Sequence, residues 1–299
     1  MSQAAAPLAQ VTINYTPNAK QAKFHACPAD EAVYGGAKGG GKSCGLVMEA
    51  AAYCMEYPGA TAYLFRETYD DLEANLIREW KSKIPQELYT YNESKHQATL
   101  LNGSVVKFRY IRNYKDAERY QGRSMDFIGV DELTRHEEKS IQELLSCLRS
   151  AKGFPPRFRG TCNPGGIGHV WVKKRYINPT NKGKKYVRDK ITGNWLAYIP
   201  ATIYDNDVLM KNDPNYVRRL ENLPPAKRAP KVAPRVAPRV AAKRPAGAAA
   251  DPARELDIAT DRWKPRRQRR RARHRQPPRS NSATPSACPT NRFPTGETT

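Results

Sequence analysis

The 299-residue sequence lacks several features of secreted, metal-binding and membrane proteins. Its six cysteines form no C-x-x-C pair and have no histidine at metal-ligand spacing, which fits reduced thiols better than zinc sites. No apolar run approaches the roughly 20 residues of a membrane helix, and no signal-peptide pattern opens the chain. These absences predict a cytoplasmic protein with no membrane partner.

Acidic and aromatic residues are scarce in the last quarter of the chain. Residues 224–299 hold five Asp and Glu against 19 Lys and Arg, whereas residues 1–223 hold 24 against 32. The last quarter also contains 13 of the 24 prolines and too little apolar surface to offset the entropy of ordering. We therefore predict a folded domain over residues 1–223 and a disordered basic tail, rich in Pro, Arg and Ala, over residues 224–299.

The front of the chain contains a glycine-rich loop that fits the phosphate-binding pattern G-x-x-x-x-G-K-[S/T]. In such a loop backbone N–H groups surround the phosphates, the lysine reaches the β- and γ-phosphates, and the hydroxyl binds Mg²⁺. A short apolar strand precedes the loop and an Ala- and Leu-rich helix over residues 44–57 follows it, which is the required context. The residues predicted to bind the nucleotide are Gly36, Ala37, Lys38, Gly39, Gly40, Gly41, Lys42 and Ser43.

Strand and helix patterns alternate along the rest of residues 1–223. Apolar, β-rich runs predict strands, and runs with 3.6-residue periodicity predict helices between them. This alternation predicts an α/β fold with a largely parallel central sheet. Strands are predicted over residues 61–66, 125–130 and 196–203, together with a strand that ends in a turn over residues 157–166. Helices are predicted over residues 68–83, from 134 past 148, and over 169–176.

Four smaller features are also predicted. They are a short strand over residues 11–15, a hairpin turning at Asn102-Gly103, a capping box over residues 134–137, and a last helix over residues 213–223. The second arm of the hairpin has a basic face. That face is either an ordinary solvent-exposed surface of the sheet or a contact for DNA.

Polar residues follow two of the predicted strands. Ligands of α/β sheets bind at the carboxyl ends of strands. Asp131 suits Mg²⁺ shared with Ser43, and Glu132 could activate a water for attack on the γ-phosphate. Asn163 could sense the γ-phosphate and pass its loss to the turn at residues 164–166, although asparagine is also ordinary in such turns.

Hydrolysis needs positive charge at the γ-phosphate in addition to that of Lys42 and Mg²⁺. Lys38 could supply it within the subunit, and Arg119 or Arg123 could supply it to a neighbouring subunit or simply form a solvated basic turn. Gln21 could pair with the edge of adenine and Phe24 could stack on its face; the alternatives are a surface glutamine and a core phenylalanine.

Three segments together resemble the large terminase subunit of tailed bacteriophages and prophages. They are residues 34–43, 120–132 and 161–165, within a resemblance that covers about residues 15–228. The resemblance implies a RecA-like P-loop ATPase domain that uses ATP and Mg²⁺ to move DNA into a capsid. It also implies a homo-oligomeric ring in the host cytoplasm, with double-stranded DNA, a portal protein and a small terminase subunit as partners.

The same resemblance implies residue roles. It puts Gln21 near adenine, Lys38 and Lys42 on the phosphates, Asp131 on Mg²⁺ and Glu132 in the role of catalytic base. Residues 161–163 would form the motif that couples hydrolysis to movement.

The sequence departs from this family after residue 223. Members continue into an RNase H-like nuclease domain, but here five acids follow with no strand pattern, so no nuclease activity is expected. A frameshift near residue 229 would explain the change. Two alternatives remain open: a basic DNA-binding protein that holds ATP without useful turnover, and another P-loop ATPase such as a helicase.

Overall fold

The computed structural model describes residues 11–36 and 39–221. Within this part of the chain nine strands form one sheet, in the order β3-β4-β5-β2-β6-β7-β1-β9-β8. The strands are β1 (Glu31–Gly36), β2 (Thr61–Arg66), β3 (Tyr89–Asn92), β4 (Gln97–Leu100), β5 (Val105–Tyr110), β6 (Phe127–Val130), β7 (Arg157–Cys162), β8 (Val187–Arg188) and β9 (Trp195–Ala201).

Six neighbouring strands, from β5 to β9 in the sheet order, run parallel. Antiparallel pairs occur at the two sides of the sheet, where β3 and β4 extend β5 and where β8 pairs with β9. The predicted α/β class with a largely parallel sheet is confirmed. Because β1, β2, β6 and β7 run the same way, their carboxyl ends meet at one edge.

The helices of the described chain connect these strands. Two of them are interrupted by π-helical turns: α3 and α4 are joined through Glu73–Ile77, and α7 continues through Lys173–Ile177. The bounds are α1 (Ala19–His25), α2 (Lys42–Glu56), α3 (Tyr69–Leu72), α4 (Arg78–Lys83), α5 (Tyr114–Glu118), α6 (Glu138–Ser146), α7 (His169–Val172), α8 (Asp207–Asn212) and α9 (Tyr216–Glu221). None of these helices is long and apolar enough to cross a membrane.

Side chains of the parallel strands alternate between two cores, as the two-residue period of a strand requires. On β2, Ala62 and Leu64 pack into one core with α2, whereas Tyr63 and Phe65 pack into a second core with α6. Parallel sheets are normally covered on both faces in this way. The covered sheet gives the loops at its carboxyl edge a rigid base.

Two predictions of local structure are wrong. Residues 11–15 form no strand; Ile13 instead packs into the first core, and the Tyr15 hydroxyl lies 3.0 Å from His25 Nε2. The capping box at residues 134–137 is absent, because the Thr134 hydroxyl donates to the carbonyl oxygen of Asn163 at 2.9 Å. Helix α6 accordingly begins only at Glu138, without a side-chain cap.

Other predictions are confirmed or shifted. The hairpin at Asn102-Gly103 joins β4 and β5, with Gly103 at φ +80°. The last described helix begins at Tyr216 instead of residue 213, since a separate helix, α8, precedes Pro214 and is capped by Asn206. The tail predicted over residues 224–299 lies outside the described residues.

A buried ionic network joins the amino-terminal helix to the sheet. Glu49 of α2 is 2% exposed, accepts from Arg159 Nε at 3.0 Å, and lies 2.8 Å from His25 Nδ1. The remaining guanidinium N–H groups of Arg159 donate to carbonyls that include those of Cys27 and Ala29. Burial raises the Glu49 pKa, but the hydrogen bond from His25 and the charge of Arg159 outweigh it, so the pKa is lowered.

We expect Glu49→Gln to lower the free energy of unfolding by about 3–5 kcal/mol, because it leaves the buried Arg159 charge without its partner. The matched control is Glu93→Gln, which removes an exposed ion pair with Lys81 and should cost under ~1 kcal/mol. Urea unfolding at neutral pH measures both.

The pH dependence supplies a second check. Since folding lowers the Glu49 pKa, its stabilisation is present above the pKa of the unfolded state and is lost as pH falls through the folded value. The difference between Glu49→Gln and the unsubstituted protein should therefore shrink in acid. Equal effects of the Glu49 and Glu93 variants would contradict this role of the network.

Candidate nucleotide-binding site

Strand β1 leads directly into the glycine-rich loop, whose backbone conformation requires glycine. Gly36 has φ +140°, and a Cβ at this position would lie 1.7 Å from the carbonyl oxygen of Ala201 on β9. Gly41 has φ +70°, and a Cβ there would lie 2.9 Å from Gln21 Nε2. These two glycines therefore let the chain turn tightly between the end of the sheet and the start of α2. Two other predicted loop residues, Ala37 and Lys38, lie outside the described residues.

Gln21 holds the loop from the side of α1. Its Nε2 donates to the carbonyl oxygen of Gly41 at 2.8 Å, and its Oε1 accepts from the backbone N–H of Asn18 at 2.9 Å. The side chain is buried, so the alternative of a surface glutamine is wrong. Both ends of the carboxamide are used within the protein, and its predicted contact with adenine stays a prediction. Phe24 is fully buried and packs on Tyr34, as the core alternative predicts.

Gly39, Gly40 and Lys42 of the loop make further contacts with the rest of the domain. The carbonyls of Gly39 and Gly40 accept from Asn206 Nδ2 at 2.5 Å and from the Tyr34 hydroxyl at 3.1 Å. Lys42 is buried, and burial lowers its pKa, although the nearby carboxylates Glu132 and Asp131 act in the opposite direction.

Asp131 lies at the point where loop, β6 and β7 meet. Ser43 Oγ donates to its two carboxylate oxygens at 3.2 and 3.0 Å. The Thr161 hydroxyl, at the end of β7, also donates to Asp131, and Arg66 NH1, at the end of β2, lies 3.4 Å from Oδ2. Asp131 is 1% exposed, so these neighbours replace the water that a carboxylate would otherwise bind.

Glu132 has a different set of partners from Asp131. Its backbone is left-handed, at φ +55°, and its N–H donates to Thr161 Oγ1 at 3.1 Å. Its carboxylate accepts from Asn163 Nδ2 at 2.6 Å. The Asn163 Oδ1 atom is buried and accepts no hydrogen bond from the described residues. Strained backbone of this kind clusters at functional sites.

The predicted residues therefore divide into two groups. Ser43, Asp131, Glu132 and Asn163 are brought together at the carboxyl edge of the sheet. Arg123 is exposed, lies over the ring of Tyr120, and precedes the amino end of β6, whereas Asp131 follows its carboxyl end. Arg119 is also exposed and pairs with Asp116 at 3.2 Å. A role for either arginine in a neighbouring subunit stays a prediction.

Sequence reasoning missed Arg66. The sequence predicts it as the last residue of a strand, but its proximity to Asp131 follows from β2 and β6 being neighbours, with Phe65 opposite Val130. Strand order cannot be read from a chain whose helices and strands merely alternate. An arginine that ends an apolar strand was the available signal.

The donor set fits a magnesium ion. Mg²⁺ prefers oxygen ligands, commonly one or two protein oxygens completed by water and substrate phosphates. The Ser43 hydroxyl and Asp131 carboxylate supply such oxygens side by side. Among the described residues no group of three or more His, Cys, Asp or Glu could hold a metal alone.

The sheet and the site at its carboxyl edge place the protein in the RecA-like α/β class. A sequence model of the family "Terminase large subunit, T4likevirus-type, N-terminal" matches residues 33–233. The chain belongs to this family of phage large-terminase N-terminal domains. Comparison with curated protein sequences gives no match.

Solved structures show the same fold. The large terminase of a thermophilic bacteriophage matches with a TM-score of 0.56 and 19% identity, over 72% of this chain and 52% of that chain. The same terminase in complex with ADP matches with a TM-score of 0.56 and 18% identity, over 71% and 52%. Its complex with ATP-γ-S matches with a TM-score of 0.50 and 20% identity, over 68% and 49%. The present chain thus spans about half the length of these terminases.

If this site hydrolyses ATP, Thr161→Val should slow turnover, because it removes the hydroxyl that donates to Asp131 and accepts from the Glu132 N–H. Losing these bonds should also lower the free energy of unfolding by about 1–3 kcal/mol, the cost of an unsatisfied buried group. Steady-state hydrolysis and urea unfolding measure the two effects. Thr161→Ser keeps the hydroxyl and should retain most of both properties; equal losses in the two variants would contradict this assignment.

Proposed function

We propose that the chain is the ATP-hydrolysing motor domain of a phage DNA-packaging terminase large subunit. One observation carries the proposal: the adjacent carboxylates Asp131 and Glu132 contact different partners, Ser43 on the loop and Asn163 after β7. Hydrolysis of ATP needs one acidic group on the metal side and another that orients or deprotonates water. The arrangement supports that division of labour.

In this proposal Ser43 and Asp131 hold Mg²⁺. The ion, when bound, neutralises charge that develops on the β- and γ-phosphates. Lys42, at the start of α2, faces the same phosphates, and the amino end of this 15-residue helix favours their negative charge. Lys38 is proposed to add positive charge at the γ-phosphate, although it lies outside the described residues.

Glu132 is proposed as the general base. It takes a proton from a water whose oxygen attacks the γ-phosphorus; the bond from this phosphorus to the bridging oxygen breaks, and ADP and phosphate form. Asn163 holds Oε1 of Glu132 and so orients the carboxylate.

Asn163 also offers a route from hydrolysis to movement. Its carbonyl accepts from the Thr134 hydroxyl, and the Thr134 carbonyl accepts from Gly168 N at 2.8 Å, just before α7. Loss of the γ-phosphate would alter the Glu132–Asn163 contact and with it the turn at residues 164–166. The coupling role of residues 161–163 is proposed on these contacts.

The partners follow from membership of the family and are part of the proposal. We expect double-stranded DNA as the cargo, a ring of identical subunits on a portal protein, and a small terminase subunit, all in the host cytoplasm. Within such a ring Arg123 could reach a neighbour's nucleotide, and Gln21 could contact adenine after exchanging one of its present hydrogen bonds.

We expect Glu132→Gln to bind Mg·ATP with nearly unchanged affinity and to hydrolyse it at least ~10²-fold more slowly, the lower range of a general base's contribution. Calorimetric titration with a slowly hydrolysed ATP analogue and single-turnover phosphate release measure the two quantities separately. A near-normal rate would place the base elsewhere.

Lys42→Ala is the companion variant and should differ from Glu132→Gln in nucleotide affinity. Removing the loop's fixed cation should abolish tight nucleotide binding, so that both binding and turnover are lost. Undiminished affinity in this variant would exclude the loop as the phosphate site. A rate for the unsubstituted protein no higher than that of Glu132→Gln would favour the ATP-holding, non-motor alternative.

A further inference from the structure

The positive charge of the described chain is concentrated in one segment. Residues 11–36 and 39–221 contain 31 Lys and Arg and 24 Asp and Glu. Residues 173–190 alone contain eight of these cations and one of the acids. The remaining described residues are therefore neutral in sum, with 23 of each sign, and the segment holds the whole excess.

Seven of the eight cations are exposed and form no ion pair within the described residues. The eighth, Arg175, pairs with Glu31 at 2.9 Å and with Asp189 at 2.6 Å, which uses the segment's only acid. Uncompensated like charges repel one another, so the segment favours an external partner of opposite charge. The seven are Lys173, Lys174, Lys182, Lys184, Lys185, Arg188 and Lys190, called the basic edge below.

The basic edge follows the open side of the sheet. Gly183 backs onto the carbonyl oxygen of Tyr198, Arg188 pairs with Trp195 in the β8–β9 ladder, and the chain then turns over residues 189–194. Residues 181–184 form a turn, in which the N–H groups of Lys184 and Lys185 donate to the Thr180 carbonyl, and residues 187–188 are extended. A DNA duplex carries one charge per ~1.7 Å along its axis, so its phosphates are spaced closely enough to lie opposite clustered cations.

Two alternative roles account for the basic edge less well. Lysines on an edge strand prevent pairing with another sheet, but that role does not involve Lys173 and Lys174, which lie on the π-helical extension of α7. An ordinary solvated surface would be mixed in sign, as the rest of the described chain is in sum. A basic stripe on one side of a domain is the electrostatic footprint of a nucleic-acid-binding protein.

We propose that the basic edge binds the phosphate backbone of double-stranded DNA without reading its sequence. The β8–β9 turn lies at the amino edge of the sheet, because Leu196 is opposite Glu31 at the start of β1, whereas the phosphate loop follows the end of β1. Gly183, by contrast, lies against Tyr198 and Pro200 of β9, which are opposite Val33 and Gly35 of β1, so the basic edge runs along the side of the sheet. The choice of DNA over another polyanion rests on the proposed function.

The test uses the full chain and two charge-matched triple variants. One changes Lys182, Lys184 and Lys185 to Gln; the control changes Lys95, Lys115 and Lys139, exposed lysines elsewhere on the domain, to Gln. Affinity for a duplex of random sequence is measured against salt concentration. Each lost phosphate contact lowers the slope of log K against log salt by about 0.9, so the first triple should lower it by about 2–3. The control should leave it unchanged.

The other possible results test the proposal as follows. Equal losses in both triples, or an unchanged slope in the first, would overturn the proposal. Loss of binding to poly-glutamate with an unchanged duplex slope would also overturn it, and would identify the edge as a surface for acidic proteins. Basal ATP hydrolysis without DNA should be the same in all three proteins. If none of them hydrolyses ATP while the first triple still lowers the slope, the motor proposal fails and the DNA surface stands.

Discussion

The hydrogen bonds that converge on Asp131 are the constraint on which the rest of the site depends. They join the start of α2, through Ser43, to the end of β7, through Thr161, and the same Thr161 hydroxyl accepts from the N–H of Glu132. A single buried carboxylate therefore links the glycine-rich loop, through Ser43, to the backbone of the proposed base Glu132, through Thr161. Because these atoms lie on strand ends of a sheet covered on both faces, the geometry is rigid before any nucleotide arrives.

Much of this arrangement could be predicted from the sequence, because the strongest signals are local. The glycine-rich loop, the apolar strand ending at Asp131 and Glu132, and the strand leading to Asn163 are each recognisable within about ten residues. What could not be predicted depends on contacts between distant segments. The contact between Arg66 and Asp131 can be predicted only when the strand order is known. The capping box predicted at residues 134–137 does not form, because the Thr134 hydroxyl donates to the distant Asn163 carbonyl. Gln21 is a similar case, since its burial follows from the packing of α1 against the loop.

Two regions of the sheet carry different side chains. The carboxyl edge gathers acids, hydroxyls and the loop lysine, and we propose that a nucleoside triphosphate and Mg²⁺ bind there. The β8 side of the sheet gathers exposed cations, and we propose that DNA binds there. Strand β9 pairs with both β1 and β8 and so lies between the two regions.

The most direct test of the account is a structure of the protein with Mg²⁺, ADP and tetrafluoroaluminate, a mimic of the γ-phosphoryl group during transfer. The account predicts the nucleotide's phosphates in the loop of residues 36–43, the metal on the side of Ser43 and Asp131, and Glu132 within hydrogen-bond distance of a water in line with the aluminium. A nucleotide bound elsewhere, or a Glu132 carboxylate turned away from that water, would contradict the central claim.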